Sequence, residues 1–367
     1  MSKFYELALT FLPNIGAVLS KQLVSYCGSA EKIFQVPKTK LLQIPNIGNK
    51  IADSILNFRQ NAIELAKKEA EKIDKLGTKI VSYSDPEYPK RLLEIPDSPT
   101  LLYLQGNINL NVEKTVAIVG SRKATNYGKK ITEEIVFALK KHNALIVSGL
   151  AYGIDIYSHR AALENQMATV GVMATGIDVL YPAVHKETAL EMQKKGGLIT
   201  EYAIGTKPDA MRFPNRNRII AALADVVIVV EAAASGGALI TAEIANSYNK
   251  EVFAVPNDIH KPFSEGCNQL IVKHKAHLFS KIEDLEYIMN WEFDPKSKKS
   301  NKKSIILPEM TTEELQIYTL LDQKKAMHLD ELSWQAQINV SRLAGVLLSL
   351  EMKNLVKSLP GKLFSVE

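Results

Sequence analysis

Three arginines fall within seven residues in the segment MRFPNRNR: Arg212, Arg216 and Arg218, with Phe213 and Asn217 among them. Guanidinium forks beside an aromatic face suit the phosphates and unstacked bases of a single nucleic-acid strand. A structural alternative stands beside this: Arg216 and Arg218 salt-bridge across the sheet edge, or one of them points inward and braces the loops. A second candidate is VAIVGSRKATNYGKK, Val116 to Lys130, where an apolar run meets Gly120 and Ser121, then Arg122 and Lys123. It has the outline of a phosphate-holding turn without a G-x-G-x-x-G pattern or a Walker lysine. In such a turn the arginine guanidinium forks onto the anion while Ser121 and backbone amides hold the same group.

Cutting chemistry needs more than a grip. Asp155, Asp178, Glu201, Glu231 and Glu243 all fall at or near the ends of expected strands. Two such carboxylates can cleave a glycosidic bond. Asp155 and Asp178 each follow Gly-Ile, however, where a helix-capping or turn-closing aspartate is the common explanation. His159 has no histidine four residues on and no nearby cysteine, and reads as a structural histidine bonded to a neighbouring loop. The sequence carries no nucleophile elbow, metal-ligand spacing or dinucleotide fingerprint, so no catalytic residue, metal or cofactor is expected.

These residues need a scaffold. Short apolar runs at Val116–Val119, Leu145–Val147, Thr169–Met173, Leu198–Thr200, Val226–Val230 and Val252–Val255 are mostly separated by helical patterns such as GKKITEEIVFALKKH. Such alternation implies a parallel sheet covered on both faces, a doubly wound α/β domain. Ligands bind these sheets at the carboxyl ends of the strands. Five of the six loops there carry glycine, among them SGLAYGIDIYSH and EAAASGGALIT. Ser235, Gly236 and Gly237 are expected to add backbone amides and a helix N-terminus to an anion-binding rim.

Two flanking parts are legible. In the first, LPNIGAVLSKQL from Leu12 and IPNIGNKIADSI from Ile44 form a weak repeat resembling the helix-hairpin-helix element, with a packing unit as the plainer reading. The helix that follows, Asp53 to Leu76, reads as long, charged and mostly solvated. In the last part, from Ile305, a capping box at Thr311 and Glu314 opens three short helices and a hairpin, the order of a winged helix. From Ser304 on there are six Lys/Arg and eight Asp/Glu, so partner binding is the expected role there rather than DNA reading. The expected division is 1–80 helical, 81–292 α/β, 293–304 a lysine-rich linker and 305–367 winged helix.

Composition narrows the class. The chain has 367 residues, 46% hydrophobic and 23% charged, ordinary for a globular protein. The five lysines of PKSKKSNKKS equal its whole net charge of +5, so any nucleic-acid site is a local patch. That run reads as a solvated linker, or as one that also touches phosphates. Two distant cysteines, Cys27 and Cys267, fit a reducing cytoplasm. Pro13 interrupts the N-terminus before a secretory segment develops, and no apolar run approaches the ~18 residues of a membrane span.

Four long motifs in fixed order, VAIVGSRKATNYG, VSGLAYGIDIYSHRAAL, FPNRNRIIAALADVVIVVEAAASGGALITAEIA and VFAVPNDIHKPFSEGCNQLI, resemble the DNA-processing protein A (DprA, also called Smf) family. The resemblance spans about Tyr83 to Phe279. It implies an extended Rossmann-like domain with a helical (helix-hairpin-helix or SAM-like) front and a winged-helix tail. It implies a homodimer that binds single-stranded DNA without marked sequence preference, protects incoming strands and loads the RecA recombinase in natural transformation. Carried over, Gly120, Ser121 and Arg122 match one DNA-contacting loop and Phe213 to Arg218 a second, with Lys207 and Arg212 nearby and Lys186 after the third strand. Pro256-Asn257 stands where the family shows Pro-Gly, and VKHKAHLF lacks an expected Gly-Ala. A related fold cleaves nucleoside monophosphates with a P-G-G-x-G-T-x-x-E loop; here SGGALITAE lacks the Gly-Thr pair. Such a hydrolase is the rival reading.

Overall fold

The two Pro-Asn-Ile-Gly repeats fold alike. Asn14 and Asn46 take φ of 63° and 62°, the left-handed conformation that asparagine tolerates best after glycine. Gly16 and Gly48 then cap α2 (Ala17–Cys27) and α5 (Asn49–Leu76) in extended backbone, so asparagine and not glycine makes each turn. With α1 (Ser2–Leu9), α3 (Ala30–Ile33) and α4 (Lys38–Leu41) they form the helical front. The long helix α5 is exposed over more than half of its length, as expected, while Ala52, Ile55, Ala62, Ala66, Glu69 and Ile73 line one buried face. Its small alanines let neighbours approach, which a count of its charges hides.

The computed structural model describes residues 2–291, 310–324, 326–353, 355–359 and 363–366. The lysine-rich stretch Pro295 to Ser304 and the Pro360-Gly361 turn lie outside them. The chain divides into two compact units, Met1–Phe293 and Asp294–Glu367.

In the first unit the stretch Gly77 to Pro99, rich in proline, carries β1 (Lys79–Ser82) and α6 (Lys90–Leu93), and β2 (Leu101–Gly106) follows. Then strand and helix alternate: β3 (Thr115–Val119), α7 (Asn126–Leu139), β4 (Leu145–Ser148), α8 (Ile154–Glu164), β5 (Thr169–Val172), α9 (Lys186–Met192), β6 (Gly197–Thr200), α10 (Arg212–Leu223), β7 (Val226–Val229), α11 (Gly237–Ser247), β8 (Glu251–Ala254), α12 (Glu265–Val272), β9 (His277–Leu278) and α13 (Ile282–Met289). The sheet order is β1-β2-β6-β5-β4-β3-β7-β8-β9. All pairings from β6 to β9 are parallel, whereas β1–β2 and β2–β6 are antiparallel. The six expected strands are present, and β1, β2 and β9 extend them.

Strand order reverses at β3, whose neighbours are β4 on one side and β7 on the other. Val119 sits opposite Val229 in the β3–β7 register, so the loops leaving those strands emerge side by side. On one face, α7, α8 and α13 cover Val116, Ile118, Val226 and Ile228. On the other, α10 and α11 cover Ala117, Val119, Val227 and Val229. The core of the helical front runs on without a break into Leu101, Tyr103, Leu150, Met173 and Ile177 of the α/β part.

The second unit holds α14 (Thr312–Lys324), β10 (Ala326–His328), α15 (Leu329–Ala336), α16 (Val340–Met352), β11 (Val356–Leu359) and β12 (Leu363–Val366). Its sheet runs β10-β12-β11, a winged helix. The capping box forms: Thr311 N–H donates to Glu314 at 2.7 Å and Glu314 N–H donates to Thr311 Oγ1 at 3.3 Å.

Candidate nucleic-acid interface

A cleft of about 890 Å³ opens at the carboxyl ends of β3 and β7. This is the reversal point of the strand order, where open α/β sheets bind their ligands. One wall is the loop after β3. Its Ser121 N–H donates to the Glu231 backbone carbonyl at 2.7 Å, which clasps the β3 and β7 loops together. The Glu231 carboxylate is 1% exposed and accepts from Thr125 N–H at 2.9 Å and Thr125 Oγ1 at 2.6 Å. Thr125 in turn caps α7. Gly120 is a matter of space: a Cβ there would stand 2.4 Å from Ile154 Cγ1.

Arg122 projects from this loop, exposed, with its Cζ 5.3 Å from the Phe213 ring centroid. The Phe213 ring lies 5.7 Å from that of Tyr181. Guanidinium, phenyl and phenol thus form a continuous flat-faced strip along the opening. Across from Arg122 stand Ser235, Gly236 and Gly237, all exposed to the cleft. Gly236 has φ 150°, and α11 begins at the next residue. The first-turn N–H groups of this eleven-residue helix have no partners within the helix and carry its positive dipole end.

None of the three clustered arginines presents a free fork to the cleft. Arg216 is 3% exposed, and its Nη1 donates to the carbonyls of Gly149, at 2.5 Å, and Val172. It braces the carboxyl ends of β4 and β5 from inside the cleft wall. Burial pulls its pKa down to about 10, partly offset by the nearby Asp155 carboxylate. Arg218 is paired through Nη2 with Glu201 and approaches Asp97 at 3.9 Å. Both were expected as phosphate forks, with salt-bridging or inward bracing as the alternative, and the structure has the alternative: Arg216 lines the cleft but spends its guanidinium on the sheet, and Arg218 is ion-paired. Burial raises the pKa of Glu201, and Arg218 works against that. Asn217 is also buried and joins helices: its Nδ2 donates to the Gly237 carbonyl at 3.3 Å.

Arg212 folds back over its own loop, donating to the Lys207 carbonyl at 2.7 Å with its guanidinium 5.6 Å from the Tyr202 ring. Lys186, Lys207, Arg212 and Arg218 do not line the cleft, though Lys186 and Lys207 are exposed. Lys123, named beside Arg122 in the sequence, lines the cleft, as do Tyr181 and Thr241, which the sequence did not bring forward. Tyr181, in the loop after β5, and Thr241, inside α11, sit in contexts that offered no signal.

Each of the five candidate carboxylates has a structural task. Asp155 accepts from the N–H groups of Gly149 and Ala151 at 3.1 and 3.4 Å, Asp178 from Gly205 N–H at 2.8 Å, and Glu243 pairs with Lys275 at 2.7 Å. Glu201 and Glu231 are engaged as described. His159 is fully buried with Nδ1 2.7 Å from Thr169 Oγ1, and burial pulls its pKa down to about 3, so it stays neutral at physiological pH. Among the described residues no group of three or more His, Cys, Asp and Glu can hold a metal ion, and no helix is long and apolar enough to cross a membrane.

Fold and site together define a doubly wound α/β protein with a cleft at its switch point, preceded in the chain by a helical front and followed by a winged helix. The chain belongs to the DNA processing protein A family: residues 79–290 match the model described as DNA recombination-mediator protein A. Residues 306–362 match the DprA winged helix domain, and residues 7–66 the helix-hairpin-helix motif. Protein Smf of Synechocystis sp. is 35% identical over 73% of this chain and 68% of its own length. The structure of DNA processing protein A from Streptococcus pneumoniae superposes with a TM-score of 0.68 at 32% identity, covering 80% of this chain and 98% of that one. A structure of DNA processing protein A from Helicobacter pylori, solved to describe its single-stranded DNA binding mode, gives 0.54 at 29% identity over 59% and 97%.

Proposed function

We propose that this protein binds single-stranded DNA in the β3–β7 cleft and does not cut it. One observation carries the reading: the Arg122–Phe213–Tyr181 strip faces the amide-rich start of α11. A strand laid along this opening stacks unpaired bases on the rings and sets a phosphate against Arg122, Ser121 and the helix N-terminus. A duplex, whose bases are already stacked, gains only the phosphate contact. The full engagement of Glu231, Glu201 and Asp155 in holding loops supports gripping over the hydrolase reading.

In this proposal the bound strand is protected and handed to the RecA recombinase, in the cytoplasm, by a homodimer, as the resemblance implies. The winged helix serves a protein partner. The bases of α16 and its C-cap support that: Arg342 is paired with Glu313 at 2.5 Å, and Lys353 with Glu314 at 2.8 Å. The test is anisotropy of a labelled oligothymidine against a duplex of equal length. Clearly tighter single-strand binding is expected, and equal affinity refutes the cleft as the site. Release of free base from nucleoside monophosphates would select the hydrolase instead.

A further inference from the structure

We propose that Glu69, in the helical front, positions the rim loop between β6 and α10, so that the front sets DNA affinity without touching DNA. This rests on the single-strand reading of the cleft.

The loop covers residues 201–211, eleven residues between Thr200 and Arg212. It leads from the sheet to Phe213, and its Pro208, Asp209 and Ala210 line the cleft. A free loop of that length would have to be ordered on binding, at a cost in affinity. Here its first turn is clamped by two carboxylates on consecutive amides. Asp178 accepts from Gly205 N–H at 2.8 Å, and Glu69 Oε1 accepts from Ile204 N–H at 2.6 Å. Gly205 takes φ 84°, which turns the chain back so that Thr206 N–H donates to the Ala203 carbonyl at 3.1 Å and Gly176 N–H to the Thr206 carbonyl at 2.9 Å.

Asp178 belongs to the α/β part. Glu69 comes from α5, 135 residues earlier in the chain, and is 2% exposed. Lys72 stands 3.3 Å from its other oxygen, one helical turn away. The side chain of Ile204 packs into the same core cluster as the front helices. A second link ends at the base of the same loop. Lys21 of α2 donates to the Pro96 carbonyl and to Ser98 Oγ, both at 2.8 Å, beside Asp97; Asp97 faces Arg218, which holds Glu201 at the loop's first position. The front thus holds the loop directly at residue 204, and reaches residue 201 only through the segment around Asp97 and through Arg218.

The experiment compares Glu69→Gln, Glu69→Asp and Glu69→Ala in the full chain. Hydrogen exchange of the peptide spanning 201–211 and oligothymidine anisotropy are read together. Gln keeps the acceptor at the same reach; Asp keeps the charge but withdraws it by one methylene. The expected result is faster exchange in 201–211 and about tenfold weaker binding for Asp and Ala, the scale of one lost charge-assisted bond. Gln should stay near wild type, and exchange around Gly120 to Thr125 should not change. Should Ala fail to fold, Asp carries the comparison. Unchanged exchange in the Asp variant overturns the proposal, as does looser exchange with wild-type binding, or a Gln variant as loose as Asp. If the wild type binds no oligonucleotide, the single-strand reading fails and the claim on affinity falls with it. The exchange result then still shows whether Glu69 holds the loop.

Discussion

The guanidinium of Arg122 stands 5.3 Å above the ring of Phe213, reached from a loop ninety-one positions earlier in the chain. Charge and aromatic face are presented together, one from the loop after β3 and the other from the first turn of α10, at the point where the strand order reverses.

Replacing Arg122 with alanine therefore removes a charge-assisted phosphate contact, worth roughly 1.5–3 kcal/mol of single-strand affinity. The log–log salt dependence should flatten by about 0.7. Lysine restores the charge but not the planar fork and should give an intermediate affinity. Thermal melts should be unaltered, because Arg122 is exposed. Salt-titrated anisotropy with parallel melts checks this; normal binding with early melting would make Arg122 a brace instead.

Arg216 should behave in the opposite way. Its Nη1 serves two strand-end carbonyls inside the wall. Arg216→Met leaves those carbonyls short of a donor and should cost roughly 1.5–3 kcal/mol of stability for each bond to a charged group. The salt slope of DNA binding should keep its wild-type value. A flattened slope at unchanged melting temperature would show Arg216 reaching phosphate after all.

Deleting residues 305–367 should leave single-strand affinity nearly unchanged. The bases on α16 and just after it are matched by Glu313 and Glu314. Oligonucleotide titration of the truncated chain is the measurement. A loss that appears only when residues 295–304 are also removed would assign the contribution to the lysine run.

Glu314 gives a pH dependence with a definite sign. Lys353, then Ser349 and the Thr311 amide, hold its pKa down to about 2 from the ordinary 4.5. A carboxylate with a depressed folded-state pKa stabilises above its unfolded pKa and loses that contribution as pH falls through the folded one. The urea midpoint of the second unit's transition should thus separate wild type from Glu314→Gln at pH 7. The gap should close progressively between about pH 4.5 and pH 2. A gap constant with pH would mean that Glu314 acts through packing alone.

The parallel centre of the fold was legible because buried parallel strands read as continuous apolar runs, and all six are in place. The antiparallel strands β1 and β2 were harder. Pro86, Pro89, Pro96 and Pro99 surround them and look like a connector. At the site, spacing alone brought Arg122 and Phe213 forward correctly as cleft-lining side chains. It could not show that all three clustered arginines are engaged within the protein, since what decides their direction is the position of Lys207, Gly149, Val172 and Glu201 in three dimensions. Glu231 and Glu69 act on partners 106 and 135 residues away, and no local pattern announces such a pairing.

The β9 edge of the large sheet is poorly suited to adding a further strand. β9 is two residues long, His277 and Leu278, and it is the outermost parallel strand. Its flanks carry the ion pair of Lys275 with Glu243 and the contact of His277 with Glu251. So short and charged a border offers too few free backbone groups to template another strand, the usual natural protection against runaway sheet growth.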